Sequence, residues 1–129
     1  MGGNYFYLPP TRCFLIWRKT NVPEKFSMSM CEYAWTSFDK NAKWFEMSAV
    51  GQPDRFHPTQ KPVQLYTWIL SNFAKNGDKI LDTHVGSASS LIACHELGFD
   101  YVGFEIDPTY YKLAKQRLDA AESQISMFD

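Results

Sequence analysis

One glycine and one acidic residue, Gly86 and Glu105, stand at a spacing that suits recognition of a ribose. Gly86 lies in a run of small residues that follows the apolar pair Ile80 and Leu81, and Glu105 comes nineteen residues later, after a second apolar segment. A carboxylate about 20 residues beyond such a turn meets the ribose hydroxyls of a bound adenosine cofactor. The predicted chemistry of the pair is therefore hydrogen bonding to a ribose.

The segment from Lys79 to Asp107 predicts the elements that would position these two residues. Its pattern indicates a strand, a glycine turn, a helix with an apolar face at Leu91, Ile92 and Leu97, and a second strand over Tyr101 to Phe104. Parallel strands joined by a helix place their carboxyl ends side by side, so the turn and the acid would face one crevice. Because the turn lacks the GxGxxG spacing, two interpretations stay open at this point. One is a cofactor site, and the other is a βαβ unit whose glycine serves packing alone.

The preceding segment, HPTQKP at residues 57–62, favours the cofactor site. Followed by a predicted helix over Gln64 to Phe73 and by the turn LDTHVGSASS, it resembles the C-terminal portion of permuted, beta-class-like DNA amino-methyltransferases. These enzymes depend on S-adenosylmethionine and modify adenine N6 or cytosine N4. The earlier segments GGNYFYLPP, CFLIWRK and EYAWTSF resemble the middle of such enzymes. The resemblance implies an α/β fold with a partial Rossmann-like methyltransferase sheet and flanking helices.

The resemblance also implies a cofactor, S-adenosyl-L-methionine, and a set of residues that bind it. The HPTQKP element would contact its methionine part, and the later acid would hold its ribose. Thr83, His84 and Ala88 depart from the family turn, where proline, phenylalanine and a second glycine stand, and Ser89 and Ser90 replace threonines. The ring of His84 can still cover the cofactor. The implied cofactor-binding residues are His57, Thr59, Lys61, Asp82, His84, Gly86, Ser87, Ser89, Glu105 and Asp107.

No catalytic residue is predicted within these 129 residues. The resembling enzymes hold the target amine with a (D/N/S)PP(Y/F) motif, whereas the Pro-Pro pair here lies in Leu8-Pro9-Pro10-Thr11. Leucine cannot accept a hydrogen bond from the amine and threonine cannot stack on the base, so a structural turn is predicted. In the permuted order the motif lies upstream of GGNYF. We therefore expect the chain alone to be inactive and an upstream half that carries the motif to be needed. Fewer strands are found here than the resembling enzymes have, which leaves a sheet edge open, so a homodimer partner or another partner chain is expected as well.

Charge is distributed unevenly along the chain, although the net charge is −1. Residues 1–61 hold eight Lys and Arg against five Asp and Glu, a balance of +3, and residues 62–129 hold five against nine, a balance of −4. A net charge near zero argues against coating of nucleic acid by charge alone. The predicted DNA contacts are Lys40, Lys43 and Arg55, and the alternative for these residues is an ordinary solvated loop.

Length predicts one domain over residues 1–129. The resemblance implies that it is a partial methyltransferase domain, with a middle, DNA-facing portion at 1–56 and a cofactor-binding portion at 57–129. Asp107 and Pro108 predict the start of a last helix, with a fraying tail from Glu122 onward. All four tryptophans are expected in the core. The other predicted elements are a buried strand over Arg12 to Trp17, a loop over Thr20 to Lys25, a strand over Asn41 to Met47 and irregular chain over Ser48 to Gln60.

The cysteines predict free thiols and a cytoplasmic protein, because Cys13, Cys31 and Cys94 are odd in number and form no CxxC pair. No leader peptide or long apolar run is found, so no membrane association is expected. His57, His84 and His95 do not show zinc-ligand spacing with these cysteines, so no metal site is predicted.

Three functions remain open on the sequence alone. The first, which we favour, is the cofactor-binding portion of a site-specific DNA methyltransferase, with adenine N6 as the target. The second is a non-catalytic remnant of such an enzyme that binds nucleic acid. The third is an α/β module that binds an adenosine nucleotide and transfers no methyl group.

Overall fold

The chain divides into two compact units, Met1–Gly51 and Gln52–Asp129. The computed structural model describes residues 1–51, 55–57 and 59–128. Two of the prolines that predicted irregular chain, Pro53 and Pro58, lie outside the described residues. The remaining described residues of that segment contain no helix or strand. A single domain divided after residue 56 stays a prediction.

The first unit is built on a three-stranded sheet in the order β2-β1-β3. Strand β1 is Phe14–Arg18, β2 is Cys31–Trp35 and β3 is Lys43–Glu46, and a short 3-10 helix covers Gly3–Tyr5. β1 pairs antiparallel with β2 and parallel with β3. Strands β1 and β3 confirm the strands predicted over Arg12 to Trp17 and over Asn41 to Met47.

Burial alternates along β1, which corrects the prediction of a strand buried on both faces. Leu15 and Trp17 are each 2% exposed, whereas Phe14 is exposed on the opposite face. This is the period of two expected when one face of a sheet packs on a core and the other does not. The prediction that all four tryptophans lie in the core is wrong, since Trp35 and Trp44 are 37% and 53% exposed on that second face.

The second unit begins with helix α1, Val63–Phe73, which confirms the predicted helix. Pro62 stands immediately before the first turn of the helix. Proline suits this position, because an N–H at the start of a helix has no hydrogen-bond partner within the helix. The apolar spacing predicts one stripe of Val63, Tyr66, Ile69, Leu70 and Phe73, whereas the buried residue of the helix is Leu65. Helix α1 packs on the helix over Ser89–Leu97.

Strand β4 (Lys79–Asp82), helix α2 (Ser89–Leu97) and strand β5 (Asp100–Gly103) confirm the predicted βαβ unit. β4 and β5 are parallel and place Asp82 opposite Gly103. A Cβ on Gly103 would lie 2.4 Å from Val85 Cγ2 and 2.7 Å from Leu91 Cδ1. Glycine at this position therefore allows the turn before α2 and the helix itself to lie directly on the end of β5.

Helix α3, Pro108–Phe128, completes the unit and extends past the predicted start of the tail at Glu122. Asp107 Oδ1 accepts hydrogen bonds of 2.9 Å from the N–H groups of Thr109 and Tyr110, so the predicted N-cap is confirmed. The hydroxyl of Tyr101 on β5 donates to the Glu122 carboxylate, which holds the helix to the sheet at the point where fraying was predicted. Within the described residues, no helix has the length and apolar character needed to cross a membrane.

Candidate functional site

The turn between β4 and α2 lies against the end of β5 because backbone hydrogen bonds join them. Phe104 N–H donates to the carbonyl of Asp82 at 2.9 Å, and Val85 N–H donates to the carbonyl of Phe104 at 3.0 Å. These bonds continue the parallel pairing past the ends of both strands. As a result, Gly86 and Glu105 lie side by side, as the sequence spacing predicts.

Both carboxylate oxygens of Glu105 accept backbone hydrogen bonds. Oε1 accepts from Gly86 N–H at 2.8 Å, and Oε2 accepts from Asp107 N–H at 3.0 Å. An ionised carboxylate has about four acceptor positions, so each oxygen can still accept a further hydrogen bond. The carboxylate is therefore held in one orientation while it keeps capacity to bind hydroxyl groups of a ligand.

The imidazole of His57 stands over the glycine turn. A Cβ built on Gly86, whose φ is +58°, would lie 3.6 Å from His57 Nε2. The ring packs on Tyr110 with centroids 4.4 Å apart, and its Nδ1 accepts from Thr59 N–H at 3.2 Å. Lys61 Nζ donates to the carbonyl of Thr59 at 3.3 Å, so its ammonium group lies at the same segment. The structure thus brings the predicted HPTQKP segment and the predicted turn together.

A polar cavity of about 280 Å³ lies among these residues. This volume is just below the range of about 300–1,000 Å³ for small-molecule sites, so the cavity has room for only part of a nucleoside-sized ligand. Its wall offers an ammonium group, a carboxylate, two imidazoles and two hydroxyl-bearing serines. Eight of the ten predicted cofactor-binding residues line it: His57, Thr59, Lys61, His84, Gly86, Ser87, Ser89 and Glu105. Tyr66 and Val85 also line it and were not predicted.

Asp82 and Asp107, the other two predicted residues, lie outside the cavity lining and have local structural partners. Asp82 Oδ1 accepts from His84 N–H at 2.9 Å, and its Oδ2 accepts from the hydroxyl of Ser90. These bonds join the end of β4 to the turn and to the first residues of α2. Asp107 caps α3. Direct contact of either carboxylate with a cofactor stays a prediction.

Two buried serines at the start of α2 are held by an arginine that the sequence analysis missed. Arg117 Nη1 donates to the carbonyl of Ser87 at 2.9 Å and to Oγ of Ser89 at 2.7 Å. The signal that could have identified Arg117 is its place on the inward face of α3, three residues after Ala114 and four before Ala121. A charged residue on an apolar stripe is expected to have a specific partner.

The thiol of Cys94, on α2, is kept protonated. Burial, and to a smaller extent the negative charge of Asp82, raises the pKa of Cys94 to about 11. Because the thiolate is the nucleophilic form, Cys94 does not supply a nucleophile at neutral pH. All three cysteines are free thiols. Among the described residues, no cluster of three or more His, Cys, Asp and Glu side chains is placed to hold a metal ion.

The predicted DNA contacts fall in both units and are exposed. Lys40 and Lys43 belong to the first unit, where Lys40 Nζ lies 5.7 Å from the centroid of the Phe38 ring and Lys43 begins β3. Arg55 belongs to the second unit. Contact with DNA by these residues stays a prediction.

The Pro-Pro turn of the first unit packs along its sheet. The carbonyl of Pro9 accepts a 2.7 Å hydrogen bond from Trp35 Nε1, and Thr11 Oγ1 donates to the carbonyl of Thr36 at 2.8 Å. An apolar cavity of about 520 Å³ lies between this turn and the exposed face of the sheet, with Trp44 in its wall. These contacts join the turn to the sheet, and a purely structural role for it stays a prediction.

Comparison with known proteins finds a similarity to DNA methylases over most of the chain. A family model described as DNA methylase, for enzymes of the N6 and N4 type, matches residues 12–116. The chain is 41% identical over 64 residues to the type II methyltransferase M2.DpnII of Streptococcus pneumoniae, covering 50% of this chain and 24% of that protein. It is 38% identical over 73 residues to the type II methyltransferase M.HpaI of Haemophilus parainfluenzae, covering 57% and 22%. The chain thus spans about a quarter of the length of these relatives.

A solved structure shows the same fold. The chain superposes on a crystal structure of an M1.HpyAVI–SAM complex with a TM-score of 0.68 and 24% identity, over 82% of this chain and 61% of that one. The likeness establishes a Rossmann-like α/β fold, as the sequence predicts.

Proposed function

The chain belongs to the family of N6 and N4 DNA methylases, and on that basis we propose that it is the S-adenosylmethionine-binding portion of a site-specific DNA methyltransferase. We further propose adenine N6 as the target, with cytosine N4 as the alternative. One observation carries this proposal. The polar cavity collects residues of the HPTQKP segment, the glycine turn and the acid after β5, which lie up to 48 positions apart in the sequence, from His57 to Glu105.

The cavity fits the charges of S-adenosylmethionine. The Lys61 ammonium group complements the carboxylate of the methionine part, and the Glu105 carboxylate complements the ribose hydroxyls. Gly86 has a φ of +58°, which glycine adopts readily, and the turn at this residue lies against the His57 ring. The imidazole of His84 supplies a planar surface in the wall of the cavity, in place of the phenylalanine of the resembling enzymes. When bound, the cofactor supplies an electrophilic methyl group.

The residues of this chain account for binding and orientation of that group, and for no more. Transfer to an exocyclic amine requires the nitrogen to be held in line with the methyl carbon, and a base in a duplex must first be flipped out. The 129 residues contain no (D/N/S)PP(Y/F) motif to hold the nitrogen. We therefore propose that the chain alone is inactive. An upstream half that bears the motif, in the same chain or in a partner chain, would complete the enzyme.

Contact with DNA is proposed for Lys40, Lys43 and Arg55. Their exposure supports this role, because long-range attraction to phosphates requires accessible cations. Neutralising any one of them should weaken binding to all sequences alike and reduce its dependence on salt.

Calorimetric titration tests the cofactor proposal. S-adenosylhomocysteine should bind the purified chain, and the exothermic signal should weaken in the Glu105→Ala variant but not in Glu96→Ala, a matched carboxylate that is exposed on α2. Binding of a dinucleotide instead would favour an adenosine-nucleotide module. A folded chain that binds neither compound would contradict the proposed function and favour a non-catalytic remnant.

A further inference from the structure

We propose that Arg117 is a positioning residue, which holds the glycine turn in the conformation that binds the cofactor. Arg117 does not line the polar cavity, so it would act through the turn and not by touching the ligand. The inference rests on the proposed function for its effect on cofactor affinity. Its structural part, the control of the turn by Arg117, stands independently of any ligand.

Two hydrogen bonds from Arg117 reach the buried side of the turn. A single nitrogen, Nη1, donates to the carbonyl oxygen of Ser87 and to the hydroxyl oxygen of Ser89, which are 5% and 2% exposed residues. The two serine hydroxyls lie 3.1 Å from each other. Hydrogen bonds from a charged donor are stronger than neutral ones, and more so where water is excluded. The guanidinium group therefore fixes the peptide carbonyl between Ser87 and Ala88.

That peptide needs to be fixed because the residues on either side of Ser87 have left-handed conformations. Gly86 has a φ of +58° and Ala88 has a φ of +69°. Glycine adopts such angles readily, but alanine disfavours them because its Cβ crowds the backbone. Ala88 is the residue that replaces the second glycine of the resembling family. A bond from outside the turn thus opposes the tendency of the alanine to leave this conformation.

Movement of this peptide would reach the cavity directly. Ser87 lines the cavity and follows Gly86, whose N–H donates to Glu105. Rotation of the carbonyl of Ser87 would turn the N–H of Ala88, which donates to the carbonyl of Val85 at 3.1 Å. That carbonyl shares its peptide with the Gly86 N–H, so loss of the bond would loosen the hold on the carboxylate that is proposed to bind the ribose. Loss of Arg117 should therefore lower cofactor affinity even though the residue lies on α3, behind the turn.

The first test is the affinity for S-adenosylhomocysteine, measured by calorimetry. Arg117→Ala should bind about tenfold more weakly than wild type, a change equal to about 1.4 kcal/mol. Arg117→Lys keeps the charge but loses the planar donor, and it should give a smaller loss. Lys112→Ala removes an exposed cation from the same helix and should leave the affinity unchanged. Equal affinity of wild type and a folded Arg117→Ala would overturn the proposal.

The second test separates positioning from general stability. In a protein that already carries Ala88→Gly, the turn no longer needs an external bond, so adding Arg117→Ala should cost less than threefold in affinity. A full tenfold loss in that background would overturn the role assigned to the turn. Should Arg117→Ala not fold, Arg117→Lys takes its place in the same cycle.

A third measurement keeps the two proposals distinguishable. Amide NMR signals of Gly86, Ser87 and Ala88 should shift in Arg117→Lys without any ligand, whereas those of α1 should not. Unchanged turn signals would reject the positioning role. Shifted turn signals in a chain that binds no S-adenosylhomocysteine would reject the cofactor proposal alone.

Discussion

Gly86 N–H donates a 2.8 Å hydrogen bond to Oε1 of Glu105, nineteen residues further along the chain. This bond links the glycine turn after one strand to the acid after its parallel neighbour. It also sets the direction of the carboxylate before any ligand arrives. A preorganised carboxylate loses less conformational freedom on binding, which favours affinity.

We predict that Glu105→Ala weakens S-adenosylhomocysteine binding by about 1.5–3 kcal/mol, the range for a hydrogen bond to a charged group. Glu105→Gln keeps one oxygen acceptor and should lose less. Isothermal calorimetry measures both, with Glu96→Ala as the control. Wild-type affinity in a folded Glu105→Ala variant would remove this residue from the site.

A second prediction concerns the left-handed alanine. Ala88→Gly removes a buried methyl group and adds chain entropy to the unfolded state, but it relieves a conformation that costs roughly 1–2 kcal/mol. The free energy of unfolding should stay within about 1 kcal/mol of wild type, because these effects offset one another. Ala93→Gly, a buried alanine inside α2, has no such relief and should lose about 2 kcal/mol. Ala88→Val places a β-branched residue at positive φ, and its free energy of unfolding should fall by more than about 2 kcal/mol.

Urea unfolding of these three variants at one pH measures the difference. The decisive comparison is between the two glycine variants. An equal loss for Ala88→Gly and Ala93→Gly would mean that the turn does not strain Ala88.

Stability should fall at alkaline pH. Burial raises the pKa of Cys94 from 9.0 to about 11, and burial together with the hydrogen bond to Glu122 raises the pKa of Tyr101. The unfolded chain therefore ionises first as pH rises. The contribution of Cys94 is complete below about pH 9 and decreases between pH 9 and 11, by roughly 2 kcal/mol at pH 11. Tyr101 adds to the loss in the same direction.

Urea unfolding from pH 8 to 11 follows this decrease. A variant that combines Cys94→Ala with Tyr101→Phe should show a flatter pH dependence than wild type. Cys31→Ala, which changes a less buried thiol, should retain the wild-type slope. An unaltered slope in the combined variant would show that other groups cause the decrease.

The purified 129-residue chain is predicted to transfer no labelled methyl group from S-adenosylmethionine to unmodified DNA above background. The physical reason is that a misplacement of about 1 Å can cost around 10²-fold in rate, and the sequence contains no (D/N/S)PP(Y/F) motif to hold the target nitrogen. Adding an upstream segment with a DPPY-like motif, in cis or in trans, should restore transfer. Turnover by the chain alone would mean that the catalytic site has been misplaced.

An association prediction follows from the second sheet. Within the described residues, β4 and β5 pair only with each other, and Leu81, Val102 and Phe104 on one face are 63%, 56% and 59% exposed. Open edges and exposed apolar surface favour pairing with another chain. Sedimentation at high micromolar concentration should detect a dimer, or a complex with a partner chain, and Val102→Lys should weaken it. A monodisperse wild-type monomer would count against this prediction.

Local patterns were sufficient to predict the βαβ unit, because the glycine turn, the strands and the Asp107 cap depend on neighbouring residues. Most residues that line the polar cavity were predicted, because they belong to the HPTQKP segment and to the unit formed by the glycine turn and Glu105. Arg117 and Tyr66 were missed since each reaches the site from a helix whose orientation no local pattern determines. The exposure of Trp35 and Trp44 was missed for a related reason. A tryptophan favours burial, but its identity does not show which face of a sheet packs against the core.

The distribution of aromatic and helical residues between the two units has a spectroscopic consequence. Three of the four tryptophans, Trp17, Trp35 and Trp44, belong to Met1–Gly51, whereas α1, α2 and α3 all belong to Gln52–Asp129. Indole fluorescence therefore reports mainly on the first unit, and ellipticity at 222 nm, a wavelength dominated by helices, reports on the second. If both signals change at one denaturant concentration, the units unfold as one cooperative body. Two separate midpoints would instead assign each unit a free energy of its own.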